Sequence, residues 1–166
     1  IEKELPFVTA QSAENITKWY YMRMHTNQPG FIGDIAEDNT INVAWGKTAT
    51  ADKLENFMWG FVGDVFGGIT VVNKGTGLQL NSTGDGNATL AETGTSFFIA
   101  ATTETSANAK YGFCLRKKDS KKYLNANYGA GKLSHWESTD AGSTFFLTEA
   151  DKATKVKVSN AGYATL

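Results

Sequence analysis

Residues 121–147 read KKYLNANYGAGKLSHWESTDAGSTFFL. An apolar pair, Tyr123 and Leu124, leads into a polar turn containing two glycines. A second short strand, KLSHWE, follows, and a small-residue turn then closes on Phe145, Phe146 and Leu147. Short apolar runs bounded by Gly, Asn and Asp are the pattern of half-buried β-strands joined by hairpins. The same order of features occurs twice more. Residues 77–99 carry GLQLN, NATLAE and SFFI, and residues 30–61 carry GFIGD, TINVAW and NFMWGF. Each copy is preceded by one further strand: KWYYMRMH (18–25), GGITVVN (67–73) or YGFCLRKK (111–118).

Four features recurring three times in one order make an internal repeat. The closing Phe57, Phe97 and Phe145 are 40 and 48 residues apart, near the ~40-residue periods of repeated and radial folds. A unit of about four strands cannot bury its apolar face alone. Three such units around a pseudo-threefold axis can, and their closure hides the sheet edges. The expected fold is therefore all-β: a β-trefoil over 17–151, with repeats at about 17–64, 65–108 and 109–149. Phe57, Phe97 and Phe145 are expected at equivalent core positions, with one or two helical turns in TADKLENFM before Phe57. Residues 1–16 read as a lead-in. Residues 152–166, KATKVKVSNAGYATL, read as a linker and the start of a truncated following β module. An initial Ile rather than Met suggests a processed or excised piece.

A length of 166 residues suits one domain, and 41% apolar with 12% aromatic residues suffices for one core. Sixteen basic and seventeen acidic residues give a net charge of −1, which offers no electrostatic footprint for nucleic acid. No run of 18 apolar residues exists, so membrane insertion is not expected either. The single Cys114 permits no disulfide within the chain and no thiolate cluster, and reads as a small buried hydrophobe. Two histidines, His25 and His135, are too few for a zinc site built from His alone. Neither a nucleophile elbow nor a phosphate loop is present. Asp34, Glu37 and Asp38 in GDIAEDN lack the spacing of a calcium loop and read as a solvated turn. No cofactor, metal or enzymatic activity is expected.

The segments GLQLN, GNATLAE and SFFI, with KKYLNAN, GKLSHWE and TFFL, resemble the lobes of ricin-B-like β-trefoil lectins over roughly residues 17–149. The family's closing Gln-x-Trp is replaced by ENFMW, GTSFF and GSTFF. FVTAQSAENITKWYYMRM is also similar to the start of trefoil modules embedded in large secreted proteins of Bacteroidetes-type bacteria, often glycoside hydrolases. The resemblance implies a carbohydrate-binding module of a larger secreted or surface protein, in the bacterial periplasm or exterior. Its partners would be a glycan and neighbouring domains of the same polypeptide. The alternative is a spacer that packs on a catalytic domain and binds no sugar.

Sugar recognition needs an aromatic face for the apolar side of a pyranose and polar groups for its hydroxyls. The third lobe concentrates these in Asn125, Asn127, Tyr128, His135, Trp136 and Asp140. In the family the sugar lies at this hairpin, flanked by a second-strand Asp and an aromatic near the third strand; Asn125 stands where that Asp is expected. The first lobe offers Asp34, Asn42 and Trp45. The middle lobe has no aromatic before Phe97 and is expected to be silent. Two readings of Trp136 and Trp45 stay open, a wedge between lobes or a ligand platform. If Leu133 points inward, strand alternation places His135 with it and turns Trp136 outward. RKKDSKK (116–122) puts six charges in seven residues at a hairpin tip, either a solvated turn or a basic tip for an acidic glycan.

Overall fold

The computed structural model describes residues 5–26, 30–44, 51–83, 86–107, 109–127 and 129–150. Among these, helical structure is confined to short 3₁₀ segments, including Ala51–Phe57 ahead of the first closure. The remainder is β. A short strand β1 (Thr9–Ala10) precedes three sets of four. The first set is β2 (Tyr20–Met24), β3 (Gly30–Ile35), β4 (Ile41–Ala44) and β5 (Met58–Asp64). The second is β6 (Gly68–Asn73), β7 (Gln79–Asn81), β8 (Thr89–Ala91) and β9 (Phe97–Ala101). The third is β10 (Phe113–Lys117), β11 (Tyr123–Asn127), β12 (Lys132–Trp136) and β13 (Phe145–Glu149).

The pairing closes a ring. Each closing strand pairs antiparallel with the first strand of the next lobe: β5 with β6, β9 with β10, and β13 with β2. The three remaining hairpins, β3–β4, β7–β8 and β11–β12, cap one end. They meet through backbone bonds from Val43 N to Gly131 O, Leu90 N to Asn39 O and Ala88 N to Leu133 O. The chain is a β-trefoil.

Register fixes which residues are equivalent. Within each lobe the first and closing strands meet at Tyr20↔Trp59, Ile69↔Phe97 and Phe113↔Phe145. Trp59, Phe97 and Phe145 are fully buried at this position. This corrects the reading from sequence, which placed Phe57 there. Phe57 is the last residue of the 3₁₀ segment and packs in a separate small cluster with Tyr21 and Phe31. The larger Trp59 reaches the common core, where its Nε1 donates to Ile32 O at 2.9 Å. That bond removes the cost of burying an indole N–H.

The cap shows the same threefold relation. Ile41, Ala88 and Leu133 are buried, and two residues before each lies a left-handed residue: Asn39 (φ 65°), Gly86 (φ 70°) and Gly131 (φ 69°). This conformation turns each hairpin into its third strand. Glycine adopts it freely and asparagine tolerates it.

The lead-in is anchored on the barrel. β1 runs parallel to β5, and Val8 N donates to the Tyr20 hydroxyl at 2.8 Å. Phe7 is buried, stacked on Phe61 with ring centroids 3.9 Å apart and tilted against Phe113 at 5.8 Å. It therefore fills the end of the barrel opposite the cap. The proposed following module, 152–166, lies outside the described residues.

Two consequences can be measured by denaturant unfolding. Phe7→Ala and Phe145→Ala should each lose ~3–5 kcal/mol, as deletion of a buried ring does. Gly86→Ala should lose about 1 kcal/mol through backbone conformation alone, since an added Cβ there meets no atom within 4 Å.

Candidate functional site

The β11–β12 hairpin pairs Tyr123 with Trp136, Leu124 with His135, Asn125 with Ser134, Ala126 with Leu133 and Asn127 with Lys132. Directly opposed residues share a face, and faces alternate along the strand. Leu124, His135, Ala126 and Leu133 therefore face the core, and all four are buried. Tyr123, Trp136, Asn125, Ser134, Asn127 and Lys132 take the outer face. Trp136 keeps 55% of its surface exposed, so it is not a wedge between lobes.

His135 takes an inward position that Val43 and Leu90 hold in the other lobes. An imidazole survives there because both nitrogens are bonded: Nε2 meets Ser82 Oγ, and Nδ1 meets Gly86 O at 2.9 Å. Placed among the candidate sugar contacts by its chemistry, His135 instead points away from Trp136, as strand alternation dictates. Asn127 is on the outer face but at the far end of the hairpin, four residues or about 13 Å along the strand from Tyr123. Its Oδ1 accepts from Ala130 N at 3.1 Å and so holds the turn. Tyr128 and Trp45 lie outside the described residues.

Asn125 lies beside Trp136 on the outer face, yet it is buried beneath the 3₁₀ segment Ala141–Ser143. Gly142 permits this crossing, because a Cβ there would lie 2.5 Å from Ala126 O. The Asn125 Nδ2 donates to Asp140 Oδ2 at 2.8 Å and Ser143 Oγ at 2.9 Å. The same Asp140 oxygen accepts from Gly142 N at 3.0 Å, and Ser143 Oγ donates to Glu137 O at 2.8 Å. Asn125 thus orients the carboxylate of Asp140, the residue that closes the Glu137–Asp140 turn. The Asp140 carboxylate is half-buried and also lies within electrostatic reach of His25.

The other lobes differ. In the first, Asp34 and Asn42 are opposed in register, but Asn42 Oδ1 accepts from Lys132 Nζ at 2.7 Å. Phe31, the counterpart of Tyr123, is buried against Phe57. Gly33 lets this covering segment lie on the strand, since a Cβ there would lie 2.5 Å from Asn56 O. Asp38 caps its own turn, accepting from Thr40 Oγ1 at 2.6 Å and Thr40 N at 3.1 Å. The Thr40 hydroxyl bond holds this carboxyl below the usual range. In the second lobe the positions of Tyr123 and Trp136 are held by Gln79 and Ala91, so no ring is present. Cys114 is buried, and burial pushes its thiol up to about 11.

No family model and no curated protein matches the sequence. Solved structures do match the fold. A Macrolepiota procera ricin B-like lectin in complex with lactose superposes with a TM-score of 0.60 at 14% identity, over 84% of this chain and 96% of the lectin. SeviL bound to asialo-GM1 saccharide gives 0.58 at 18% identity, over 82% and 99%. A GlcNAcα1-4Gal-releasing endo-β-galactosidase from Clostridium perfringens gives 0.62 at 12% identity, over 81% of this chain. The chain spans about a third of that enzyme, with 33% of its length covered, and nearly all of the two lectins. The fold is the β-trefoil of the ricin B-like lectins.

Trp136→Ala should leave unfolding free energy within about 1 kcal/mol of the parent, the usual range for an exposed site. Asn125→Ala should cost ~1–3 kcal/mol by leaving buried acceptors unpaired. At pH 8 a thiol titrating near 11 is thiolate in roughly one molecule in a thousand. Native Cys114 should therefore resist Ellman's reagent until the protein unfolds.

Proposed function

We propose that this trefoil is a carbohydrate-binding module of a larger secreted or surface protein that acts on glycans. The observation that carries the reading is the exposed Trp136 ring on the outer face of the β11–β12 hairpin. A pyranose presents an apolar face and a rim of hydroxyls; an indole covers the first and a carboxylate accepts from the second. The site is shallow, so affinity is weak and rests mainly on the ring contact. Sugar-bound lectins among the structural neighbours support the class of ligand. The endo-β-galactosidase, a far longer chain with the same fold over part of its length, supports the setting.

A second reading, an interaction spacer that packs on a neighbouring domain, is favoured by the end of the barrel opposite the cap. Val8, Val65, Phe66 and Tyr111 are exposed there and line one groove, with Phe66 89% exposed. Asp64 Oδ1 accepts from the Phe66 and Gly67 amides at 2.8 and 2.7 Å, so the turn that projects Phe66 is fixed. Leu5 and Glu149, near the two ends of the described trefoil, line the same groove. A domain joined at either end would meet it. A spacer of this kind would bind no sugar, so glycan binding separates the two readings.

A glycan array probed with the domain should show binding that Trp136→Ala abolishes and Phe66→Ser leaves unchanged. Binding that survives Trp136→Ala would exclude this hairpin as the site. Binding to no glycan would leave the spacer reading alone.

A further inference from the structure

The sugar-binding reading names no charge for the ligand. The surroundings of Trp136 do. Arg116 and Lys117 end β10, and Lys118, Lys121 and Lys122 lie in the turn to β11, with Asp119 as its one acid. A chain of net charge −1 thus gathers five of its sixteen basic residues into seven positions. Arg116 is consumed structurally, donating to Ser120 O at 2.8 Å and lying over the Phe98 ring at 5.2 Å. Lys118, Lys121 and Lys122 are exposed and have no carboxylate partner among the described residues. Lys122 is placed apart from the other two: its Nζ stands over the Trp136 ring, 5.8 Å from the centroid.

An ammonium over an exposed indole is held by the ring quadrupole. A neutral sugar stacking on Trp136 gains nothing from that charge and competes with it for the ring. A sugar bearing a sulfate or carboxylate gains a charge-assisted hydrogen bond from the same ammonium. The polar groups are also ordered along the hairpin. Lys122 precedes Tyr123, which pairs with Trp136, and Asn125 lies two residues further with Asp140 attached. The ring is thus cationic on the Lys122 side.

We infer that the Trp136 platform selects anionic glycans, with the sulfate or carboxylate on Lys122 and the sugar ring on the indole. The inference rests on the sugar-binding reading and adds the substrate class. Lys118 and Lys121, in the same turn, extend the positive field to a second anionic group on a longer chain.

The test is an array of neutral oligosaccharides printed beside their sulfated, sialylated and uronic-acid counterparts, probed at two salt concentrations. The expected result is a preference for the anionic member of matched pairs of at least about threefold, the scale of one exposed charge contact. The preference should shrink as salt rises from about 50 to 500 mM and screening shortens. Lys122→Gln should bring the anionic-to-neutral ratio toward one, while Lys122→Arg should preserve it. Equal binding of matched pairs, or a preference that survives Lys122→Gln, overturns the inference and leaves sugar binding standing. Binding to no member of either set overturns the sugar-binding reading, and the inference with it.

Discussion

The pairing of β13 with β2, from Phe145↔Met24 to Glu149↔Tyr20, is the contact on which the molecule depends. It joins the last lobe to the first. Without it β2 and β13 would each present an unpaired edge, and the three closing aromatics would not share one core. The contact is long-range in sequence and must be formed against chain entropy. Apolar burial at Trp59, Phe97 and Phe145 offsets that cost, because each ring lies where a first strand meets a closing strand. Phe7 extends the same core at the barrel end. The lead-in is therefore part of what stabilises the ring, although it has no counterpart in the repeat.

The candidate site lies where the threefold relation is broken. In the first lobe the outer face of the capping hairpin carries Phe31, which Phe57 covers. In the second it carries Gln79, whose Oε1 accepts from Gly94 N at 2.7 Å, and Ala91. Only the third lobe pairs two aromatic residues, Tyr123 and Trp136, on this face and leaves the indole open. Its inner face differs as well, since His135 replaces an aliphatic side chain and needs Ser82 and Gly86 to satisfy it. The Ser82 and Gly86 contacts tie the third lobe to the loop of the second and hold β12 in register. The strand that carries Trp136 is thus steadied from behind by a buried, fully bonded imidazole.

Much of this was legible in the chain. The triple recurrence of strands, polar hairpins and closing aromatics specified a β-trefoil, and SFFI and TFFL placed Phe97 and Phe145 correctly. NFMWGF did not place its own residue. It holds several large apolar side chains in succession, and only the pairing of β5 with β2 decides that Trp59 enters the core. The outward turn of Trp136 followed from period-two alternation, and that alternation also sends His135 inward. The polar character of His135 had argued the other way. Nothing local could show that Asn125 would be roofed by residues 141–143, or that Asp140 would bond to it. Both depend on a backbone crossing that Gly142 permits. The burial of Phe7 was invisible for a related reason: it belongs to no repeat, and its partners Phe61 and Phe113 come from different lobes.

The central claim is that the exposed indole of the third lobe, and not a core tryptophan, meets the ligand. Titration of the ¹⁵N-labelled domain with an array-positive oligosaccharide, observed at the tryptophan Nε1–H signals, tests it directly. The Trp136 signal, assigned by its loss in Trp136→Phe, should shift and saturate, while that of Trp59, bonded to Ile32 O, stays fixed. Saturable binding that leaves the Trp136 signal unmoved would contradict the account.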